Sequence, residues 1–111
     1  MSIFQEREKA AEQRFEHDQE LAFKMVARRN KLLGRWAAAQ LGLAGDRAER
    51  YALEIVDTEV TGHGDAAIIA RISADFVANG FPMTQAEIRR HLDLFAARAR
   101  RELMQDAAAR G

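Results

Sequence analysis

The sequence predicts an all-α protein, a small four-helix bundle with a long first helix. Three observations predict it. The first forty residues contain no proline and no glycine except Gly34. Apolar side chains downstream recur at helical spacing, and no stretch alternates with the period of two that a half-buried strand would show. Three glycine-bearing breaks, Leu41 to Gly45, Thr61 to Gly64 and Gly80 to Met83, divide the chain into four segments, and short connections favour antiparallel neighbours.

The first segment is uninterrupted enough to read as one helix of ~60 Å at 1.5 Å per residue, while a domain of this size has a diameter of ~30 Å. Its core cannot cover all of that helix. From Ser2 to Glu20 the segment is charged and nearly without aliphatic side chains; from Leu21 to Leu41 it is apolar. Residues 1–20 are therefore expected to project or to be disordered when free, residues 21–106 to form the bundle, and residues 107–111 to fray. Met25, Leu32 and Trp36, with Ala22, Val26, Leu33 and Ala37 adjoining, form the longest apolar stripe, and Ala37, Ala38 and Ala39 would let another helix approach closely.

Gly42 and Gly45 end the first helix. Asp46 then reads as an N-cap, with Glu49 completing a capping box. Tyr51, Ala52, Ile55 and Val56 are the buried stripe of the second helix. Asp65 reads as the cap of the third, whose stripe is Ile68, Ile69, Ile72 and Phe76. Gly80 closes it in a left-handed conformation. Pro82 excludes Phe81 from a helix. Thr84 with Glu87 forms a second capping box, and Met83 is placed to staple onto Ile88. Ile88, Leu92, Phe95, Ala99 and Leu103 give the fourth helix its apolar face.

Composition narrows the function classes. The chain has 111 residues, the length of one domain, with 17 basic and 17 acidic side chains and no cysteine. Zero net charge argues against a dedicated nucleic-acid binder. Without cysteine there are no disulfides, thiolates or Cys-based zinc sites. No apolar run approaches the ~18 residues of a membrane span, and the charged N-terminus is no secretory signal, so a cytoplasmic protein is expected. The histidines at 17, 63 and 91 lack metal-ligand spacing. No nucleophile elbow or phosphate loop is present. The expectation is no enzyme, no metal and no cofactor.

Charge instead changes sign along the chain. Residues 1–20 carry three basic and six acidic side chains, and residues 21–50 seven basic and two acidic. Either oppositely charged helices pack together, or a basic face awaits an anion. Lys24, Arg28 and Lys31 share a helix face through spacings of four and three and are the candidate phosphate contacts. Arg29 lies nearer the apolar stripe, within reach of acidic helices two or three. In the N-terminal segment Phe4, Ala11, Phe15 and Ala22 share one side. That stripe is too thin to anchor the segment on its own domain, yet sufficient for docking into a groove on a partner. Glu12, Glu16 and Glu20 repel one another at four-residue spacing, so the segment reads as a nascent helix ordered by a partner. A solvated helix extension or a coiled-coil arm is the alternative.

Phe4 with Arg7-Glu8, then Phe15, His17-Asp18, Glu20-Leu21 and Phe23-Lys24, resemble the zeta subunit of alphaproteobacterial F-type ATP synthases. The resemblance is strongest in Ala27-Arg28-Arg29-Asn30-Lys31-Leu32-Leu33-Gly34 followed by Trp36-Ala37-Ala38. It continues through Tyr51-Ala52 and Ile88-Arg89-Arg90. The resemblance implies an inhibitor of ATP hydrolysis. Its N-terminal segment enters the catalytic head at a nucleotide-binding interface between alternating subunits and reaches toward the rotor, blocking rotation in the hydrolytic direction. The protein would be peripherally associated with the inner membrane through the synthase. Phe4, Arg7, Glu8 and Phe15 match the inhibitory pattern. Where the family often has Asp-Asp this chain has Gln5-Glu6, and where it often has phenylalanine this chain has Ala11. Burial of a phenylalanine contributes ~1.5–3 kcal/mol, so Ala11 implies binding weaker by about one or two orders of magnitude. The resemblance also implies, for some members, ADP or ATP binding on the bundle, which is the alternative role for Lys24, Arg28 and Lys31.

Overall fold

The computed structural model describes residues 3–62 and 64–110, with Phe4, Gln5, Ala11, Glu12, Arg14 and Phe15 described by backbone alone. It holds four helices: α1 (Ile3–Gln40), α2 (Asp46–Gly62), α3 (Asp65–Ala78) and α4 (Gln85–Arg110). No strand occurs among the described residues. Contacts run α1 to α2, α2 to α3, α3 to α4 and α4 back to α1, which closes a four-helix bundle. The long α1 overruns it, and the molecule measures 65 × 30 × 23 Å.

The core gathers Leu33, Ala37, Tyr51, Ile55, Ile68, Ile72, Phe76, Ile88 and Leu92, with Trp36, Met83 and Phe95 packed against it. The apolar stripes expected of α2, α3 and α4 supply most of this set. Trp36 organises the aromatic side: it stacks on His91 at 4.0 Å and meets Phe76 edge-on at 5.7 Å. His91 is thereby a packing residue, with Nδ1 held 2.9 Å from the Glu87 carbonyl.

Burial along α1 starts later than its apolar composition. Leu21, Ala22, Phe23 and Lys24 are exposed, Met25 is half-buried, and full burial starts at Asn30. Ala37 and Ala38 are fully buried as small contact residues, and α2 also approaches closely at Gly34, where an added Cβ would lie 2.7 Å from the Ala52 Cα. A mid-helix glycine costs ~1 kcal/mol relative to alanine; here it is what lets α2 lie against α1.

The helix ends divide into those whose caps are read correctly from sequence and those where the side chain has another use. Gly80, at φ 71°, closes α3 in a Schellman motif, with Phe81 N–H donating to the Phe76 carbonyl at 2.9 Å. Thr84 Oγ1 accepts from the Glu87 N–H at 3.1 Å and caps α4. Asp46 and Asp65 are not caps. Both already lie inside their helices, and Gly45 and Gly64 occupy the preceding positions, their carbonyls accepting the first backbone bonds. The Asp65 carboxylate is held by Arg29 and the Glu49 carboxylate by Arg35, so neither remains for a helix end. α4 also continues as helix to Arg110, through the segment read as fraying. Ala107, Ala108 and Ala109 are strong helix formers with no breaker among them, and Asp106 is tied to Arg28.

Candidate functional site

Two features stand out from the closed bundle: the N-terminal arm of α1, and a groove at the arm's root.

The arm is α1 from Ile3 to Glu20. Every described side chain from Ile3 to Lys24 is exposed. Arg7 and Glu8 lie on this arm in solvent. Phe4, Ala11 and Phe15 are on the same helix, but their side chains lie outside the described residues. At the arm's base Lys24 pairs with Glu20 at 3.2 Å, one helical turn back. Exposed pairs of this kind contribute ~0.3–0.5 kcal/mol, enough to bias a turn but not to hold a helix.

The groove has a volume of about 980 Å³. α1 lines it from His17 to Arg35, α2 adds Leu53 and Val56, and α4 adds the stretch from Glu102 to Arg110. Lys24, Arg28 and Lys31 all line it, so the structure brings the candidate phosphate contacts together. Their charges are not equally available. Arg28 Nη1 lies 3.1 Å from Asp106 and 3.6 Å from Glu102, and Lys24 is paired with Glu20. Lys31 is half-buried and has no ion-pair partner within 4 Å among the described residues. The groove's cations are legible in the sequence of α1, but its apolar wall is not, because Leu53, Val56 and Leu103 reach it from two other helices.

Behind the groove, Arg29 turns the other way. Its Nη2 binds Asp65 at 2.8 Å and approaches Glu59 at 3.6 Å, while its Nε donates to Asn30 Oδ1 at 2.9 Å. One guanidinium therefore ties α1 to the end of α2 and the start of α3. Asn30 is fully buried, and its Nδ2, like Glu59 Oε2, is buried without a hydrogen-bond partner. Burial, reinforced by the Asp65 carboxylate, pushes the Glu59 carboxyl above its ordinary value, and Arg29 offsets part of that. A second network joins α2 and α3: Tyr51 O–H donates to Asp75 at 2.7 Å, and Arg71 bridges Asp75 and Glu54 at 2.9 Å each. Burial and the Asp75 carboxylate push the Tyr51 hydroxyl well above its ordinary value.

The block from Arg28 to Gly34 thus has a structural meaning at each position. Arg28 reaches α4, Arg29 reaches α2 and α3, Asn30 is buried, Lys31 faces the groove, Leu32 and Leu33 enter the core, and Gly34 admits α2. The family model of the ATPase inhibitor subunit zeta matches residues 1–102, the arm included. The chain belongs to the zeta family. A protein solved by solution NMR is 33% identical, with 76% of this chain and 95% of that one covered at a TM-score of 0.65. No curated protein matches. The zeta match spans both arm and bundle, so the exposed half of α1 is part of what the family shares. Among the described residues no three potential metal ligands converge, and no helix is long and apolar enough to cross a membrane.

Proposed function

We propose that this chain inhibits ATP hydrolysis by the F-type ATP synthase, with the arm Ile3–Glu20 as the inhibitory element and the bundle as its holder. The observation that supports this reading is the exposure of every described side chain on the arm, in a family of ATPase inhibitor subunits. The bundle closes its own core without the arm, and the arm's apolar stripe in the sequence, Phe4 and Phe15 with the small Ala11 between them, is the surface proposed to meet a partner. In the proposed complex they pack at a nucleotide-binding interface between alternating subunits of the head and reach toward the rotor stalk. Arg7 and Glu8 make polar contacts at the edge. Such a pawl does no chemistry: it puts a helix where parts must move. The partner is the catalytic head, and association with the inner membrane is peripheral, through the synthase.

The test measures hydrolysis by the chain's own catalytic head with wild-type and Phe15→Ala protein. Phe15→Ala is expected to raise the half-inhibitory concentration about ten- to a hundredfold, the effect of losing one buried aromatic. Equal inhibition by both would remove the arm from the mechanism.

A second reading keeps Lys24, Arg28 and Lys31 as contacts for ADP or ATP phosphates, because all three line one groove. Arg28 is already held by two carboxylates that a phosphate would have to face, which weakens it. Chemical shifts during a titration with ADP and magnesium decide the matter: shifts at Lys24, Arg28 and Lys31 are expected on this reading, and their absence sinks it.

A further inference from the structure

We propose that the groove at the root of the arm is a second docking surface, and that it receives an acidic amphipathic helix of the catalytic head. This rests on the reading that the head is the partner.

The groove's chemistry selects this occupant. Five cationic side chains line it against two carboxylates, Glu102 and Asp106. Arg28 engages those carboxylates, Lys24 pairs with Glu20 and Arg35 with Glu49, so Lys31 and, at the end of α4, Arg110 are the groove's cations without an ion pair among the described residues. Apart from His17, the remaining lining is apolar: Phe23 is 67% and Leu53 55% exposed, with Val56 and Leu103 beside them. A nucleotide would meet the cations with its phosphates and stack its base on one of these side chains, leaving the rest of the apolar wall in water. A helix with carboxylates flanking an apolar stripe uses both, in the manner of other helix-in-groove complexes.

Dimensions and position agree. From His17 to Arg35 the face of α1 is ~27 Å long at 1.5 Å per residue, room for a helix of about five turns. Leu21 and Phe23 lie where α1 leaves the bundle, so the groove continues directly into the arm. A partner that grips the arm has the groove alongside at no added translational cost. Two linked contacts bind more tightly than either alone, which offsets the small side chain at Ala11.

The experiment uses the full-length protein and the catalytic head of its own synthase. Phe23 is replaced by photoreactive p-benzoylphenylalanine, the complex is irradiated, and the cross-linked peptide is identified by mass spectrometry. In parallel, the affinities of wild-type, Leu53→Ser and Lys31→Glu protein for the head are measured. The expected cross-link falls on a helical segment rich in Asp and Glu, and each variant binds about tenfold more weakly with an unchanged helical melt. Leu53 is largely exposed, so Leu53→Ser provides a test that does not depend on the half-buried Lys31. Cross-links to a segment without acidic residues, or to a second copy of this chain, overturn the proposal, as do variants that bind like wild type. Weakening by Lys31→Glu alone indicates an anionic ligand without an apolar face and also overturns it. The inhibitory reading is judged separately, by whether wild-type protein slows hydrolysis. Groove-dependent binding without inhibition would refute that reading and leave the docking surface standing.

Discussion

Arg28 and Arg29 are adjacent in the chain, so their side chains leave α1 about 100° apart, and the bundle uses them in different directions. Arg28 clamps α4, while Arg29 clamps α2 and α3 through Glu59 and Asp65. That Arg29 reaches the acidic helices is legible from its place beside the apolar stripe. That the Glu49 and Asp65 carboxylates do not serve their helix ends is not legible, because local sequence cannot say which carboxylate a distant arginine will claim. Arg29→Ala leaves Glu59 and Asp65 facing each other without a cation and is expected to lower unfolding free energy by about 2–3 kcal/mol in denaturant titration. The raised Glu59 carboxyl gives a pH signature. The folded state holds this proton more tightly than the unfolded chain, so Glu59's contribution to stability is greatest below its unfolded pKa and declines as pH rises through its folded value. Glu59→Gln is expected to flatten that decline above about pH 4.5 in melts across the mildly acidic range; an unchanged pH profile would show that Glu59 does not carry it.

At the scale of elements, helix identity was legible throughout, because every segment between glycine-bearing breaks carries its apolar residues at helical spacing. The ends were less so. α4 runs on to Arg110 because its alanines favour helix and Asp106 meets Arg28, a contact visible only in three dimensions. Close helix approach is legible at Ala37 and Ala38, which are fully buried, but not at Gly34, whose backbone lies against Ala52. Gly34→Ala puts a methyl group into the α2 backbone, so the higher helix propensity of alanine is outweighed. The expected outcome is a loss of about 1–3 kcal/mol, seen as a melting temperature lower by roughly 5–20 °C. A Gly34→Ala protein that melts higher than wild type would mean that α1 and α2 are further apart than described. Thr84→Ala, which removes the hydroxyl accepting from the Glu87 N–H, is expected to cost about 1 kcal/mol in the same assay.

The whole molecule is a closed bundle carrying a helix longer than the bundle can cover. That the first helix outruns the bundle is legible from its unbroken length and its charged first half, but the place where it meets the bundle is not: the composition changes near residue 20, while Leu21 to Lys24 are exposed and full burial starts at Asn30. The groove is not legible either: its cations lie together on α1, but its apolar wall comes from residues 53–56 and 102–110, which only packing brings beside them. The division of labour makes the central claim directly testable. Hydrolysis by the catalytic head is measured with full-length protein and with a chain beginning at Glu20, both first shown to melt cooperatively as helical proteins. Full-length protein is expected to slow hydrolysis and the shortened chain to leave it unchanged at the same concentration; equal inhibition by the two would contradict the assignment of the arm.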